Sequence, residues 1–400
     1  MKIFVLLSRI PWPLEKGDKL RAYHQIRCLS RHHEIYLCAL NTSSGVDQQK
    51  AFRALQPYCK SITFIRLRPH VMIWNIAKSI VSGKPIQVGY FFSQHACRRI
   101  HELINTHKPD MLYGQLLRVA EYLKDIPLPK AIDYQDVFSK GMARRAEVAQ
   151  WPISMIFRLE YHRLMRYEKQ VFDTFDLKTI ISQPDRDLIP HPDNKQILVV
   201  PNGVDQDFFA PSEVSRQYDL VFTGNMAYPP NVNAAEFLAL EIMPRVWAVR
   251  PTTTLLIAGA TPDRKVKALK NNLIHVSGWL DDIRDAYRQS RVFIAPMRIG
   301  TGLQNKLLEA MSMGLPCITT PLAQQSLGGE PGKELLVAEH SEALADAVIK
   351  LLTQDELAKS VALAGRAFVS RHYHWESATD KLSEAMMAIQ KPKTVKNNSL

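Results

Sequence analysis

The chain has 400 residues, of which 46% are hydrophobic and 8% aromatic, and its 51 Lys and Arg against 39 Asp and Glu give a formal charge of +12. That length exceeds one ordinary hydrophobic core and points to two domains, and so much apolar content excludes a disordered chain. Five scattered cysteines (Cys28, Cys38, Cys59, Cys97, Cys317) form no C-x-x-C pair, which argues against a disulfide framework or zinc finger and fits a reducing compartment.

The opening MKIFVLLSRIPWP is apolar for only a few residues before Arg9 and Pro11, too short for a secretory signal. Lys2–Leu7 is the first predicted strand, and a Pro/Gly loop then leads into a helical period over Leu20–Leu29. Strands are predicted at Glu34–Ala39, Ser61–Leu67 and Met111–Gly114, the last preceded by a helix over Ala96–His107. Ala131–Tyr134 and Thr179–Ser182 continue the series, and ILVVPNGVD near residue 200 reads as a strand followed by a turn. Beyond it come Asp219–Thr223, Thr254–Ala258, Ile274–Val276, Val292–Ala295 and Cys317–Thr320, with helical segments between them.

Alternating strands and helices make parallel sheets covered on both faces, so the fold class is α/β with two Rossmann-like domains. The expected boundary lies near residue 200, so that 1–200 and the residues from 201 onward form the two domains. The tail 391–400, KPKTVKNNSL, lacks periodicity and is expected to be disordered. No apolar stretch reaches the roughly 20 residues that a bilayer requires, which predicts a soluble or membrane-surface protein.

The charge is uneven. Residues 1–200 hold 30 Lys and Arg against 18 acids, whereas residues 201–400 hold 21 of each, and from Gln48 to His101 there is no acid at all. One half is therefore expected to meet an anionic partner: nucleic acid, a membrane surface or a phosphorylated substrate.

The stretch most informative about chemistry is APMRIGTGLQNKLLEAMSMGLPCITT, residues 295–320. A strand runs into a loop with Gly300 and Gly302, then a helix expected from Leu303 to Met313 that carries Lys306 on its first turn and Glu309 further in. A glycine loop opening a helix gathers free N–H groups and the positive dipole end at one spot, which suits phosphate. A carboxylate at Glu309 can accept two hydrogen bonds from a ribose. The spacing matches neither G-x-G-x-x-G nor the P-loop, so a plain βα unit with a tight turn stays open on spacing alone.

Other signals have structural readings beside functional ones. The triplets Asp185-Arg186-Asp187 and Asp205-Gln206-Asp207 could hold a divalent ion on a diphosphate or be ordinary loop acids, and no metal site is expected. Asp136 lies at a strand end, an edge favoured by active sites. Trp151–Val171 could be an interfacial helix or a core helix with a basic face, the latter favoured beyond Leu159. The acid-free stretch 48–101, with Phe64, Trp74, Tyr90, Phe91 and Phe92, is the better candidate for membrane or lipid contact.

Residues 295–320 resemble the donor-nucleotide motif of family-4 retaining glycosyltransferases of the GT-B fold, in the branch G-x-G-x-x-x-K-x-L-E-A-M-x-x-G-x-P. VVPNGVDQDFFAP, YDLVFTGNMAYPPNVNAAEFL, LLIAGA, HVSGWLDDIRDAYRQSRVFIAPM and HYHWESATDKL are similar to that family in order and spacing. RIPWPLEKGDKLRAYHQI, AIDYQDVFSKGMARRA and RLMRYEKQVFDTFDLKTIISQPD resemble, more loosely, a subgroup associated with bacterial exopolysaccharide systems, of the PEP-CTERM/exosortase-linked type.

The resemblance implies two such domains, 1–200 and 201–371, facing across a cleft, with the last helix, within 372–390, crossing back to pack on the first. It implies that Glu309 binds ribose, that the backbone of Thr301, Gly302 and Leu303 binds pyrophosphate, and that Gly224 and the 278–279 turn lie near phosphate and base. Lys16, Gly17 and Asp18 would face the sugar, Asp136 the acceptor or donor-sugar side, and Lys306 and Arg298 would supply positive charge. The sequence departs from the family at Thr301, where most members carry an acid, and at Asn225 and Asn231, where many carry Arg and Lys. The expected chemistry is transfer of a hexose with retention from a UDP- or GDP-sugar to a lipid-linked or glycan acceptor. It needs neither cofactor nor metal, and the basic half would rest on the inner face of the membrane, in the cytoplasm. The alternatives are a catalytically silent GT-B protein, a nucleotide-sugar epimerase or phosphorylase, and a basic nucleic-acid-binding protein. No RNA-binding motif or recognition helix supports the last, so no nucleic-acid partner is expected.

Overall fold

The structure, a computed structural model, describes residues 1–42, 45–212, 214–299 and 302–390. The chain divides into two compact units, Met1–Pro201 completed by the helix Trp375–Gln390, and Asn202–His374. The segment expected to be a disordered tail lies outside the described residues.

The first unit is built on strands β1 (Lys2–Leu7), β2 (Glu34–Asn41), β3 (Ser61–Arg66), β4 (Met111–Gln115), β5 (Lys130–Asp133), β6 (Leu177–Ile180) and β7 (Leu198–Val199). They run parallel in the order β3-β2-β1-β4-β5-β6-β7. β1 is apolar without interruption from Ile3 to Leu7 because that stretch is covered on both faces. Phe4 and Leu6 enter one core with Leu40, Leu112 and Ile132, while Ile3, Val5 and Leu7 enter the other with Leu37 and Tyr113. Ala22 and Ile26 of the helix Gly17–Leu29 close that second face together with Ala378, Leu382 and Met386 of the last helix.

One buried ion pair ties this unit's elements together. Arg21 Nε donates to Asp133 Oδ2 (2.5 Å) and its Nη1 to the Val200 carbonyl (2.9 Å), and Thr179 Oγ1 donates to Asp133 Oδ1 (3.0 Å). Both charged side chains are fully buried, a placement that is tolerated only when the pair is hydrogen-bonded on all sides.

In the second unit the strands are β8 (Tyr218–Thr223), β9 (Leu255–Ala258), β10 (Ile274–Gly278), β11 (Ser290–Ala295), β12 (Cys317–Thr319) and β13 (Leu336–Val337), in the parallel order β10-β9-β8-β11-β12-β13. β13 does not appear in the sequence series. Two residues on an edge carry no readable pattern, and β13 exists because β12 offers it a partner.

Two helix starts differ from expectation. The helix expected from Leu303 runs Asn305–Ser312, because Gly302 takes a left-handed φ of 76° and Gln304 is still extended. Lys306 is thus its second residue and Glu309 its fifth. The helix expected from Leu20 begins at Gly17, so Gly17 and Asp18 lie in its first turn.

Candidate active site

In the second unit the strand order reverses between β8 and β11. Open α/β sheets bind ligands outside the carboxyl ends of the strands at such a point. The chain leaves β8 at Gly224 toward the helix Pro229–Phe237, and leaves β11 toward the helix Asn305–Ser312.

Glycine backbone forms the floor there. Gly224 has φ +153°, and a Cβ on it would stand 2.6 Å from Asn231 Nδ2 and 3.3 Å from Lys306 Nζ. Gly259, just past β9, comes so close that a Cβ would stand 1.8 Å from the Gly224 carbonyl oxygen.

Above this floor lie a cation and a carboxylate. Lys306 Nζ donates to Asn231 Oδ1 (2.5 Å) and lies 4.8 Å from the centroid of the Phe222 ring. Asn231 is fixed in turn, its Nδ2 donating to the Asn225 carbonyl (2.9 Å). Desolvation pulls the Lys306 amine down to about 7, with the Glu309 carboxylate pulling the other way. Glu309 is three residues further along the same helix, hence on the same face. Its Oε2 accepts from the Tyr287 hydroxyl (2.6 Å), whose oxygen also lies 2.9 Å from Thr223 Oγ1. Burial pushes the Glu309 carboxyl up, while the Tyr287 hydrogen bond and Lys306 hold it back.

Gln304, at the N-cap of the helix Asn305–Ser312, makes no capping side-chain hydrogen bond among the described residues. The cluster therefore offers a carboxylate, an amine and the positive end of a helix in one place. A molecule carrying both hydroxyls and anionic oxygens satisfies all three.

Leu303 is buried in the segment leading to this helix. Thr301 lies outside the described residues. Gly278 ends β10 with φ +72°, and the adjoining Trp279 is exposed, its Nε1 donating to Asp281 Oδ1 (3.3 Å). Arg298, expected to supply charge, is held elsewhere: its guanidinium lies 4.0 Å from the Phe237 ring, its Nε donates to Asn233 Oδ1 (3.4 Å) and its Nη1 pairs with Glu241 (3.4 Å). Asn233 is two residues past Asn231, about 200° around the helix, so Arg298 engages a different face from Lys306. Tyr287 falls within one of the segments compared above but its sequence carried no sign of a role. Its helix, Arg284–Arg288, is too short to show a pattern, and the burial that makes it a partner of Glu309 is tertiary.

The remaining expected residues belong to the first unit. Lys16 is exposed beside the helix start, and the Asp18 carboxylate accepts from Arg9 Nη1 (2.9 Å). Asp136 Oδ1 accepts from the backbone N–H of Val137 (2.7 Å). Glu168 and Asp185, whose charged forms Asp136 disfavours, are both pushed up to about 7, chiefly by burial. Asp185 is bonded to Ser182 Oγ, Asp187 to Lys195, and Asp205 accepts from the Phe208 N–H. Asp185, Asp187 and Asp205 are thus engaged in turns, caps and ion pairs.

Beyond the ends of β4 and β5 the first unit also carries buried donors that the sequence reading missed. Gln115 Nε2, Gln135 Nε2 and Arg118 Nε have no hydrogen-bond partner among the described residues. The Arg118 guanidinium lies 4.9 Å from the Phe91 ring and 5.1 Å from Phe138, and burial lowers it to about 10. Leu116 and Gln135, flanking this edge, both adopt positive φ (68° and 60°). Strain of this kind is retained where the surroundings enforce it.

Two parallel sheets of this order define a chain of the GT-B glycosyltransferase fold, and comparison with solved structures shows the same. Sucrose-phosphate synthase from Thermosynechococcus elongatus matches with a TM-score of 0.71 at 14% identity, over 97% of this chain and 99% of that one. HepE of Anabaena, solved with UDP and glucose, matches with a TM-score of 0.69 at 12% identity, over 96% and 99%. Residues 217–354, which lie in the second unit, match the family model described as Glycosyl transferases group 1. A 44.6 kDa protein in the cps region of Klebsiella pneumoniae is 22% identical over 93% of this chain and 96% of its own. The phosphatidyl-myo-inositol mannosyltransferase of Mycobacterium leprae is 27% identical over 46% of this chain and 51% of its own, so the likeness to it spans about half of either protein.

Proposed function

We propose that the protein is a retaining glycosyltransferase that moves a hexose from a UDP- or GDP-sugar to a lipid-linked or polysaccharide acceptor in bacterial cell-surface or exopolysaccharide biosynthesis. It would act at the cytoplasmic face of the membrane. The observation that carries this reading is the Lys306–Glu309 pair above the Gly224 floor at the reversal point of the second sheet. Glu309 is placed to accept the ribose hydroxyls. The backbone from Gly302 to the first turn of the helix Asn305–Ser312 takes the pyrophosphate. Lys306, with the helix dipole, offsets the charge that develops on the departing diphosphate, a stabilisation that needs no metal.

Retention without a protein nucleophile follows a front-face course, in which the departing phosphate oxygen takes the proton of the attacking acceptor hydroxyl. The unpaired N–H groups Gln115 Nε2, Gln135 Nε2 and Arg118 Nε of the first unit are suited to hold oxygen-rich acceptor groups. The cps-region relative is consistent with a cell-surface polysaccharide setting, and the loose resemblance of the first half is what suggests the exopolysaccharide, PEP-CTERM-linked subgroup.

The test is a panel of UDP- and GDP-sugars scored for thermal stabilisation and nucleotide release by the purified protein. If no nucleotide-sugar stabilises it, the reading fails. Stabilisation without release, with any acceptor offered, establishes instead the silent GT-B protein that Asn225, Asn231 and Thr301 favour, since these replace two cations and an acid.

A further inference from the structure

We infer that the helices Pro69–Ser82 and Ile153–Thr174 form one docking surface for an anionic lipid bilayer, on which the protein rests without crossing. This deepens the membrane part of the proposed function and stands apart from its donor chemistry.

In the helix Pro69–Ser82, Ile73, Trp74, Ala77, Ile80 and Val81 recur at the spacing of a single apolar stripe. Such a stripe ordinarily faces the core. Here the buried positions are Met72 and Ser79 instead, while Trp74 is 71% and Val81 90% exposed. The second helix repeats the inversion in its first two turns. Ile153, Met155, Ile156 and Leu159 all face solvent, with Trp151 just ahead of them 78% exposed. Past Leu159 the pattern reverts to normal, and Leu164, Tyr167 and Val171 are buried.

The stripes adjoin. Arg163 donates from Nη1 to the Ser79 carbonyl (3.2 Å) and from Nη2 to the Ile80 carbonyl (2.8 Å), and Glu160 accepts from the N–H groups of Ile86 and Gln87 (3.0 and 3.1 Å). The end of the first helix, bearing Ile80 and Val81, is therefore fastened one turn from Leu159. Half of the large apolar residues exposed among the described residues belong to these two stripes. Single exposed apolar residues are ordinary, but a contiguous set marks an interaction surface.

The charges around the stripes select the occupant. Arg66, Arg68 and Lys78 flank the first stripe, whereas Lys84 is paired with Glu121 (2.7 Å); Arg158 lies within the second stripe, and Arg166 and Lys169 follow it. Between residues 66 and 92 there is no acid, and between 151 and 172 the only acids are Glu160 and Glu168, both buried and bonded. A second copy would press two like-charged rims together, whereas anionic headgroups complement the rim and the acyl boundary accepts the tryptophans. No helix among the described residues is long and apolar enough to cross a membrane, so the contact is interfacial.

The test is sedimentation of the full chain with vesicles of phosphatidylglycerol and phosphatidylcholine, against vesicles of phosphatidylcholine alone. Binding to the anionic vesicles is expected, weakened by about 0.5 M salt and about ten-fold weaker on neutral ones. Trp74→Ser with Trp151→Ser should cut it about ten-fold, with melting temperature and any stabilisation by UDP unchanged. Lys78→Glu with Arg158→Glu, which spares both tryptophans, should do the same. No binding, binding indifferent to both pairs, equal binding to neutral vesicles, or a dimer that the tryptophan pair dissolves would each overturn the inference. Docking without any response to a nucleotide-sugar would leave it standing and remove only the donor reading.

Discussion

Lys306 and Asn231 meet at 2.5 Å across the reversal point of the second sheet, a hydrogen bond between the second residue of one helix and the third of another. Asn231 is a neutral amide at the position where the family resemblance would place a cation. The Lys306 amine is thus not repelled by a second positive charge; it is held by a neutral amide over an apolar ring and is easily neutralised.

That arrangement fixes a pH dependence. With the amine pulled down to about 7, a bound diphosphate favours its charged form and UDP should bind with uptake of a proton. Affinity should fall several-fold between pH 7.5 and 9, roughly, and Lys306→Met should flatten the slope. Without ligand the sign is opposite for stability. The unfolded chain binds more protons than the folded one above pH 7, so stability rises with pH there. Calorimetric titration in buffers of different ionisation enthalpy checks the uptake.

Glu309 and Lys306 should separate kinetically. Glu309→Ala removes the proposed ribose acceptor and should weaken donor binding at least about ten-fold, whereas Lys306→Ala should lower turnover more than affinity. Tyr287→Phe leaves Glu309 and Thr223 without their shared hydroxyl and should weaken nucleotide binding by about 1 kcal/mol. Nucleotide-release kinetics and calorimetry on the three variants measure this, and unchanged parameters in all of them would move the site elsewhere.

The Arg21–Asp133 pair predicts stability. Asp133→Ala leaves a guanidinium buried without its carboxylate and should cost about 3–5 kcal/mol. The double variant Arg21→Met, Asp133→Leu should recover part of that loss. Denaturant unfolding of the single and double variants tests the coupling.

Asp185 predicts a second pH effect. Its carboxyl is raised from 3.8 to about 7 by burial and by Asp136. The folded chain holds that proton when the unfolded chain has lost it, so stability falls as pH rises through this window. Asp185→Asn should narrow the difference in melting temperature between about pH 5.5 and 8. A difference as wide as in the parent chain would count against the buried carboxyl as its source.

Several elements were legible because they rest on local chemistry. The run KIFVLL is a central strand by its lack of alternation, and GLQNKLLEAMSMGLP shows a glycine-opened, glycine-closed helix on its face. Lys306 and Glu309 are neighbours by the helical repeat alone. Arg298 shows the limit of this reading: its sequence position places it in the loop after β11, yet its guanidinium stacks on Phe237 and pairs with Glu241, residues some 60 positions earlier.

What the sequence alone determined is the α/β pattern, the acid-free basic segment and the Lys306–Glu309 spacing, because periodicity and charge are properties of neighbours along the chain. Only the tertiary structure decided that Tyr287 partners Glu309, that Asn231 holds Lys306, and that the stripes of Trp74 and Trp151 face water side by side. Those outcomes depend on which surfaces the sheets leave uncovered once their cores are filled, and burial of that kind is settled between residues far apart in sequence.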